Sequence, residues 1–411
     1  MEYGLIGESL SHSFSPEIHA GFAFYDYKLC QLYPTQVEPF LTNRDFKGIN
    51  VTIPYKETVI QYLDEIDESA KSIGSVNTIL NKNGKLIGYN TDYYGFSYML
   101  KRGGINVKGR VVAVLGSGGA SKTAVAVMRE NKAKEVLVVS RNGVLNYETI
   151  KNRKDVEIII NATPVGMYPN NGECIVDINE FPSLIAVADM VYNPAITEIM
   201  YRAQCKGLKS VNGLAMLVAQ AKRACEIFLD KTIPEEECER VLESVKIRTC
   251  NVVLVGMPGC GKTSVGKEIA SQLKREFIDL DEEFEKTYGQ SPEECIKTEG
   301  EDTFRQKESE IVKSACKRSK LIISTGGGAV LRQDNRKAMK SNSVVAYIKR
   351  DLDKLSKKGR PLSRGENALK NLFEKRNGLY EEVSDFCVLN DTSVKEVAMR
   401  VINELKGGKT L

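Results

Sequence analysis

The sequence predicts an α/β protein that carries two nucleotide-binding units, and three observations predict it. Val- and Ile-rich runs alternate with helical ones, two of those runs end in glycine-rich loops at Gly116 and Gly256, and the 411 residues suffice for two or three domains of roughly 150 residues each. A composition of 42% hydrophobic and 27% charged residues is that of a chain that folds throughout, which excludes a disordered or low-complexity protein.

Other classes fall to equally simple counts. Basic residues (58) exceed acidic ones (54) by four, too small and dispersed an excess to predict nucleic acid or a membrane surface as partner, while anionic small molecules remain open. Apolar runs such as 111–116 and 156–160 stop well short of the roughly 20 residues of a membrane span. No charged-then-apolar leader opens the chain, so a cytoplasmic protein is expected. Ten cysteines show neither a paired framework nor a C-x-x-C spacing and are expected to be reduced. With His12 and His19 as the only histidines, a His-based zinc site or a Ser-His-Asp hydrolase is hard to assemble.

Taken in order, residues 1–100 alternate strand-like runs at 4–6, 48–53 and 78–80 with helical ones at 15–24, 56–62 and 92–100. From 110 to about 211 the runs 111–115, 135–139, 157–160 and 186–189 are nearly continuous in hydrophobicity, as parallel strands are when helices cover both faces. Helical spacing returns at 214–229, and Pro234 with the acids behind it starts a further helix ending near Lys246. A new strand begins at Cys250, which places the boundary at 247–249 with no Pro/Gly/Ser linker. The two glycine patterns differ, so duplication of one module is not the explanation.

The second loop, Gly256-Met-Pro-Gly-Cys-Gly261-Lys262-Thr263, fits G-x-x-x-x-G-K-[ST] between an apolar strand at 252–255 and a helical run at 265–273. Glycines turn backbone N–H groups around phosphate oxygens there, Lys262 reaches the β/γ-phosphates, and Thr263 ligates Mg²⁺. Asp279 and Asp281 follow the strand-like 276–278, and their spacing points both from one strand end toward the loop. One suits the metal's water shell and the other an attacking hydroxyl, although two solvated acids in an acid-rich stretch is an equal reading. Arg305, Arg360 and Arg376 are cationic candidates, each alone readable as a surface residue, and Gly326-Gly327-Gly328 lets backbone approach a small ligand.

In this order GMPGCGKT, FIDLDEEFE, GEDTFRQKE, STGGGAV, GRPL and RNGLYEEV run through 249–411, and over that stretch the chain resembles shikimate kinase. The resemblance implies a P-loop kinase α/β domain that uses ATP and Mg²⁺. It implies that Gly256, Gly259, Gly261, Lys262, Thr263 and Ser264 hold the nucleotide, that Thr263 and Asp279 serve the metal, and that Lys262, Asp281 and Arg360 are catalytic. Asp281 would hold hydroxyls of shikimate, Arg305 and Arg376 would grip its carboxylate bidentately, and Gly327 and Gly328 would line the pocket. Arg360 matches the lid arginine that closes over the phosphates, behind a lid at 355–359 shorter than the family usually has.

The first loop, Gly116-Ser-Gly118-Gly119-Ala120-Ser121, approximates G-x-G-x-x-G with Ser121 at the third glycine position. A strand precedes it, a helical run follows at 122–129, and the next strand ends at Ser140-Arg141, where an arginine rather than an acid favours a 2′-phosphate and therefore NADP. A glycine turn with a surface arginine is the plainer alternative. Ahead of it lie Ser13-Phe-Ser15, Asn50-Val-Thr52, Lys56, Asn77-Thr78 and Asn90-Thr-Asp92, hydroxyls and amides with one cation and one anion, as a polyhydroxylated acid would need. Singly, Lys56 and Asp92 read as a surface lysine and a capping acid.

GLIGESLSHSFSP, GINVTIPYKE, YLDEID, SVNTI, GYNTD, LGSGGASK, INATPVGM, VYNP and NGLAMLVAQA stand in order through residues 1 to about 246, and there the chain resembles shikimate dehydrogenase. The resemblance implies an α/β substrate domain at 1–103, completed by helices within 214–246, and a Rossmann-type NADP domain at 104–213. It makes Lys56 and Asp92 the catalytic pair and assigns Ser13, Ser15, Thr52, Asn77, Tyr192 and Gln220 to the substrate, the two serines to its carboxylate. Gly116, Gly118, Gly119, Ala120, Arg141, Thr163 and Gly213 fall to NADP. Two departures stand out: Ser140-Arg141-Asn142 replaces the common Asn-Arg-Thr, and Leu145 occupies the place of a second basic residue. His12 is read as structural.

The expectation is therefore a bifunctional enzyme that reduces 3-dehydroshikimate to shikimate with NADPH and then phosphorylates the 3-hydroxyl with ATP. The rivals are a first half that works on quinate with NAD and a second half that binds nucleotide or shikimate without turnover.

Overall fold

Three sheets organise the residues that the computed structural model describes, 2–10, 13–355 and 366–407. They fall into two units, Met1–Val245 with two sheets and Lys246–Leu411 with one. None of the described helices is long and apolar enough to cross a membrane.

The first sheet comprises β1 (Tyr3–Gly7), β2 (Tyr27–Gln31), β3 (Gly48–Val51), β4 (Glu65–Ile66), β5 (Thr78–Lys82) and β6 (Lys85–Tyr89), ordered β2-β1-β3-β5-β6-β4. β1 pairs in parallel with β2 and β3, whereas β5 runs antiparallel to β3 and β6. The β5–β6 turn uses Asn83 and Gly84, both at positive φ, as a tight hairpin requires. β3 ends at Val51, and the following turn leads into a 3-10 helix at Thr58–Tyr62, shorter and tighter than the helix expected over 56–62. Pro54 lacks the N–H that would continue either element.

The second sheet, β7 (Val111–Leu115), β8 (Glu135–Val139), β9 (Ile158–Asn161), β10 (Ala186–Asp189) and β11 (Lys209–Asn212), is parallel throughout, in the order β11-β10-β9-β7-β8. Its apolar runs are double-sided for a visible reason: Val112, Val114, Ile158 and Ile160 join one core, and Val111, Ala113, Leu115 and Ile159 the other. The chain departs from β7 to β8 on one side and returns to β9 on the other, so the ligand crevice of such sheets opens at the ends of β7 and β9. The helix Leu214–Leu229 then packs on Asp92–Arg102 so closely that a Cβ on Gly95 would lie 2.6 Å from the Met216 carbonyl.

The third sheet, β12 (Asn251–Val255), β13 (Phe277–Asp279), β14 (Ile322–Ser324), β15 (Ser343–Lys349) and β16 (Phe386–Leu389), is likewise parallel, in the order β13-β14-β12-β15-β16. Its reversal falls at β12, which the Gly256 loop follows. The helix Glu236–Thr249 runs through the expected junction at 247–249, with basic Lys246 and Arg248 in its last turn where the helix dipole favours them.

Candidate functional site

Lys56 and Asp92, 36 residues apart in the chain, meet with Nζ 2.6 Å from Oδ2. Their side chains are 21% and 4% exposed, so the ammonium keeps a path to solvent while its partner does not. The Lys56 carbonyl accepts from Val76 N–H at 2.8 Å, and Asp92 opens the helix Asp92–Arg102, whose positive end suits a carboxylate. Asn90 Oδ1 accepts from Asp92 N–H at 3.0 Å and Asn90 Nδ2 donates to the Ser75 carbonyl at 2.8 Å, which secures that turn.

Next to the pair, Asn77 Oδ1 accepts from Thr91 N–H at 2.8 Å, and Asn77 Nδ2 donates to Gln220 Oε1 at 3.4 Å. Ser13 Oγ donates to Ser15 Oγ at 3.1 Å at the start of the helix Ser15–Phe22, and the Tyr192 ring tilts on Phe14 between the serines at 5.4 Å. Thr52 packs its methyl on Gly7, where a Cβ would lie 2.5 Å away. Lys56 is thus brought to Asp92, Asn77 to Gln220, and Ser13 to Ser15.

At the end of β7, Gly116 has φ +116°, and a Cβ there would stand 2.9 Å from the Ala162 carbonyl, so only glycine lets the loops after β7 and β9 close up. Gly118 caps the helix Gly119–Glu130, with Ala120 in its first turn, and a Cβ on Gly118 would meet nothing within 4 Å, an open face at a helix N-terminus. Ser121 proves to be a brace: its buried hydroxyl donates to the Gly116 carbonyl at 2.8 Å. Arg141 is exposed just past β8. Leu145 instead pairs with Val139 and packs on the core, which explains why that position offers no second cation.

Thr163 donates from N–H and Oγ1 to Asn161 Oδ1 at 3.1 and 2.7 Å, and Gly213 caps the helix Leu214–Leu229 with its α-carbon hard against the Met190 carbonyl. A Cβ at 213 would collide with that oxygen, so Gly213→Ala is expected to destabilise the first unit by about 1–3 kcal/mol and weaken NADPH binding. Calorimetry should register a melting loss of roughly 2–4 °C per kcal/mol. An unchanged melting temperature would contradict the collision.

Asn161 Nδ2 donates to Asp189 Oδ1 at 2.9 Å, and Asp189 also accepts from Val191 N–H at 3.0 Å and Thr197 Oγ1 at 2.5 Å. Burial pushes the Asp189 carboxyl up to about 6 despite these donors. The folded state therefore holds a proton that the unfolded chain has released, and stability falls as pH rises from about 4 to 6. Hydrogen exchange of β9 and β10 amides should quicken across that window by a shift on the order of 2–3 kcal/mol, and Asp189→Asn should flatten it. A wild-type profile with no slope there would refute this.

In the second unit, Gly256, Gly259 and Gly261 all take positive φ, and Gly261 caps the helix Lys262–Leu273. Lys262 is 7% exposed and donates from Nζ to the Gly256 and Met257 carbonyls at 2.9 and 3.1 Å, folded along the loop it serves. Ser264 is exposed in the same first turn. Thr263 Oγ1 donates to Asp279 Oδ2 at 2.8 Å and lies 3.4 Å from Ser324 Oγ. This hydroxyl and carboxylate are hard oxygen donors suited to Mg²⁺, which shares its remaining positions between water and phosphate. Among the described residues no cluster of three His, Cys, Asp or Glu side chains is placed to hold a metal unaided.

Asp279 ends β13 as expected, but Asp281 lies on the helix Leu280–Tyr288 rather than on the strand end. Asp279 is that helix's cap, accepting from Asp281 N–H at 3.1 Å, so the backbone turns between the two acids. Asp281 Oδ1 and Glu308 Oε1 both face Gly326, each 3.0 Å from where a Cβ would be. Arg305 donates from Nη1 to Glu308 Oε2 at 2.8 Å and from Nε and Nη2 to Glu301 Oε1 at 3.3 and 3.0 Å, which leaves one N–H on each Nη, with Gly328 against the guanidinium. Gly327 packs on Pro258, and its carbonyl accepts from the Tyr380 hydroxyl, beside which Arg376 is buried.

Glu308 is the residue that sequence reasoning missed. Burial pushes its carboxyl up, partly offset by Arg305, and it stands three residues after Arg305 on one helix face, a spacing legible in GEDTFRQKE. Asn90, expected only as one of the polar groups around a polyhydroxylated acid, instead secures the turn before Asp92. Arg360, the lid at 356–359 and His12 lie outside the described residues.

Residues 258–406 match the family model of shikimate kinase, and residues 5–79 that of the shikimate dehydrogenase substrate binding domain. Shikimate dehydrogenase (NADP(+)) of Clostridium perfringens is 39% identical over 272 residues, covering 60% of this chain and 98% of the relative. That of Clostridium beijerinckii is 41% identical over 250 residues, 55% of this chain and 91% of the relative. Among solved structures, shikimate dehydrogenase 1 of Peptoclostridium difficile is 37% identical with a TM-score of 0.56, over 60% of this chain and 98% of that one. The Thermus thermophilus enzyme in complex with NADP(H) and shikimate is 30% identical with a TM-score of 0.54, over 60% and 99%.

Proposed function

We propose a division of labour among these residues that proceeds from one premise: the chain belongs to the shikimate dehydrogenase family and ends in a shikimate kinase domain. It is a bifunctional enzyme of the shikimate pathway, reducing 3-dehydroshikimate to shikimate with NADPH and phosphorylating shikimate with ATP. The Lys56–Asp92 contact is the observation that carries the residue assignment for the first step.

Bound NADPH supplies the hydride. As the ketone gains it, negative charge develops on oxygen, and the Lys56 ammonium stabilises that oxygen and gives it a proton. Asp92 keeps the ammonium aimed, and partial exposure lets Lys56 regain its proton from water. Ser13 and Ser15 receive the carboxylate at a helix N-terminus, Asn77 and Gln220 turn amides to the ring hydroxyls, and Thr52 and Tyr192 close the pocket. Gly116, Gly118, Gly119 and Ala120 give the dinucleotide its phosphate cradle, Arg141 its 2′-phosphate partner, and Thr163 and Gly213 the loops beside it.

In the second site Asp281 orients the attacking hydroxyl and takes its proton, while Lys262 stabilises charge on the transferred phosphoryl group. Thr263 and Asp279 hold Mg²⁺, Gly256, Gly259, Gly261 and Ser264 cradle the phosphates, and Arg305, Arg376, Gly327 and Gly328 hold the shikimate carboxylate. Arg360 is assigned to the phosphates of the nucleotide. The domains run 1–103 with helices from 214–246, 104–213, and 249–411. A cytoplasmic location accords with ten cysteines that are all free.

Initial rates test the assignment. NADPH should outrun NADH and shikimate should outrun quinate in the first site, and shikimate should elicit ADP from the second. Preference for quinate with NAD, or ATP binding without ADP formation, would overturn the corresponding half.

A further inference from the structure

The glycine loop Gly256–Thr263 is gripped by a residue from another strand end that has no role in the chemistry above. Asn390 is the first residue after β16 and is 7% exposed. Its backbone N–H donates to the Lys349 carbonyl at the end of β15 at 2.7 Å, which ties it to the sheet. The side chain reaches across to the loop, where Nδ2 donates to the Cys260 carbonyl at 2.6 Å. A carbonyl can only accept, so this contact also settles which way round the amide stands. Asn390 Nδ2 stands against the following residue as well, since a Cβ on Gly261 would lie 2.4 Å from it.

What the contact controls follows from peptide geometry. In the trans peptide between Cys260 and Gly261 the C=O and the N–H point in opposite directions. A carbonyl held toward Asn390 therefore sends the Gly261 N–H away from Asn390. Among the described residues that N–H has no acceptor, and neither have those of Lys262 and Thr263, which follow it at the start of the helix Lys262–Leu273. These are the donors that an anion takes at a helix start. The peptides on either side have holds of their own: Cys260 N–H donates to the Met257 carbonyl at 3.2 Å, and the Gly261 carbonyl accepts from Val265 N–H at 3.0 Å. Both leave the plane of the peptide between them free to turn. Turning it over would carry Gly261 from φ +98° to negative φ, and glycine takes either sign about as readily, so the backbone alone does not choose.

We propose that Asn390 is a positioning residue for the phosphorylation: by holding the Cys260 carbonyl it keeps the Gly261 N–H turned toward the phosphates of ATP. This rests on the loop being the ATP site.

The test uses the full chain and two variants. Asn390→Leu keeps the branched shape without a donor, and Asn390→Asp keeps the shape but sets a carboxylate against the carbonyl. KM for ATP is expected to rise about tenfold in Asn390→Leu, roughly the worth of one hydrogen bond to a phosphate, with KM for shikimate and the reduction of 3-dehydroshikimate unchanged. Asn390→Asp should be at least as impaired, because its carboxylate draws the Gly261 N–H toward itself and away from the nucleotide. Both deficits, relative to wild type, should persist in about 1 M salt, where repulsion between charges is screened within about 3 Å. Wild-type KM for ATP in Asn390→Leu, an Asn390→Asp less impaired than Asn390→Leu, a parallel rise in KM for shikimate, or deficits that vanish in salt would each overturn the proposal. Absence of shikimate-dependent ADP formation by the unaltered chain would overturn the reading of the second site itself.

Discussion

Lys56→Ala should lower the rate of 3-dehydroshikimate reduction by about 10³-fold or more while phosphorylation of supplied shikimate continues at the wild-type rate. General-acid catalysis alone is worth about 10²–10⁴, and the same ammonium also stabilises the developing alkoxide. Removal has a second consequence, because Asp92 is 4% exposed at 2.6 Å from Lys56 and would be left as an unpaired buried carboxylate. The variant should therefore lose turnover and bind the substrate less well, whereas NADPH, assigned here to the loops after β7 and β9, should bind as before. Stopped-flow traces of NADPH oxidation, run beside an ADP assay on the same sample, read both quantities. Equal loss of both activities would contradict two independent sites.

Asp281→Asn should do the reverse. An amide cannot accept the proton of the attacking hydroxyl, so phosphorylation is expected to fall by about 10²–10⁴-fold, with reduction untouched. The substitution is isosteric, and the Asp281 N–H remains capped by Asp279 at 3.1 Å, so the helix Leu280–Tyr288 should persist. Loss of the carboxylate also relieves its repulsion of Glu308, since both face Gly326. Shikimate affinity should then hold while turnover falls, a split that steady-state ADP formation resolves. A turnover within a few-fold of wild type would remove Asp281 from the chemistry.

What the chain disclosed in advance follows the range of the interactions. The Gly256–Thr263 loop was legible because strand, loop and helix are contiguous, and all its glycines adopt the positive φ that the motif exists to allow. The two-sided cores of β7 and β9 were legible because burial on both faces erases the polar alternation. By contrast, β2 is an edge strand with mostly exposed side chains, and it lacks the hydrophobic signal that marks the others. The helix Pro34–Asn43 carries an internal Pro39 and went unnoticed for that reason. Asn83-Gly84 was a usable hairpin signal between β5 and β6.

The sites divide in the same way. Lys56 and Asp92 share no local pattern, and only the order of motifs in a known family pairs them; folding then brings them into contact. Asp279 and Asp281 looked equivalent by spacing, but a helix cap between them leaves Asp279 at the strand end and sets Asp281 on the helix Leu280–Tyr288. Ser121 looked like a defect in the glycine fingerprint, yet its hydroxyl braces the loop at Gly116. Glu308 escaped notice because it acts on another side chain, Arg305, rather than at the reacting atoms.

A single tube holding 3-dehydroshikimate, NADPH, ATP and Mg²⁺ with the intact chain tests most directly whether one ring acid visits both pockets. Mass spectrometry should find shikimate 3-phosphate, with one NADPH oxidised and one ADP formed for each molecule, and omission of NADPH should stop ADP formation. Accumulation of shikimate without ADP, or ADP formed at the same rate without NADPH, would contradict it.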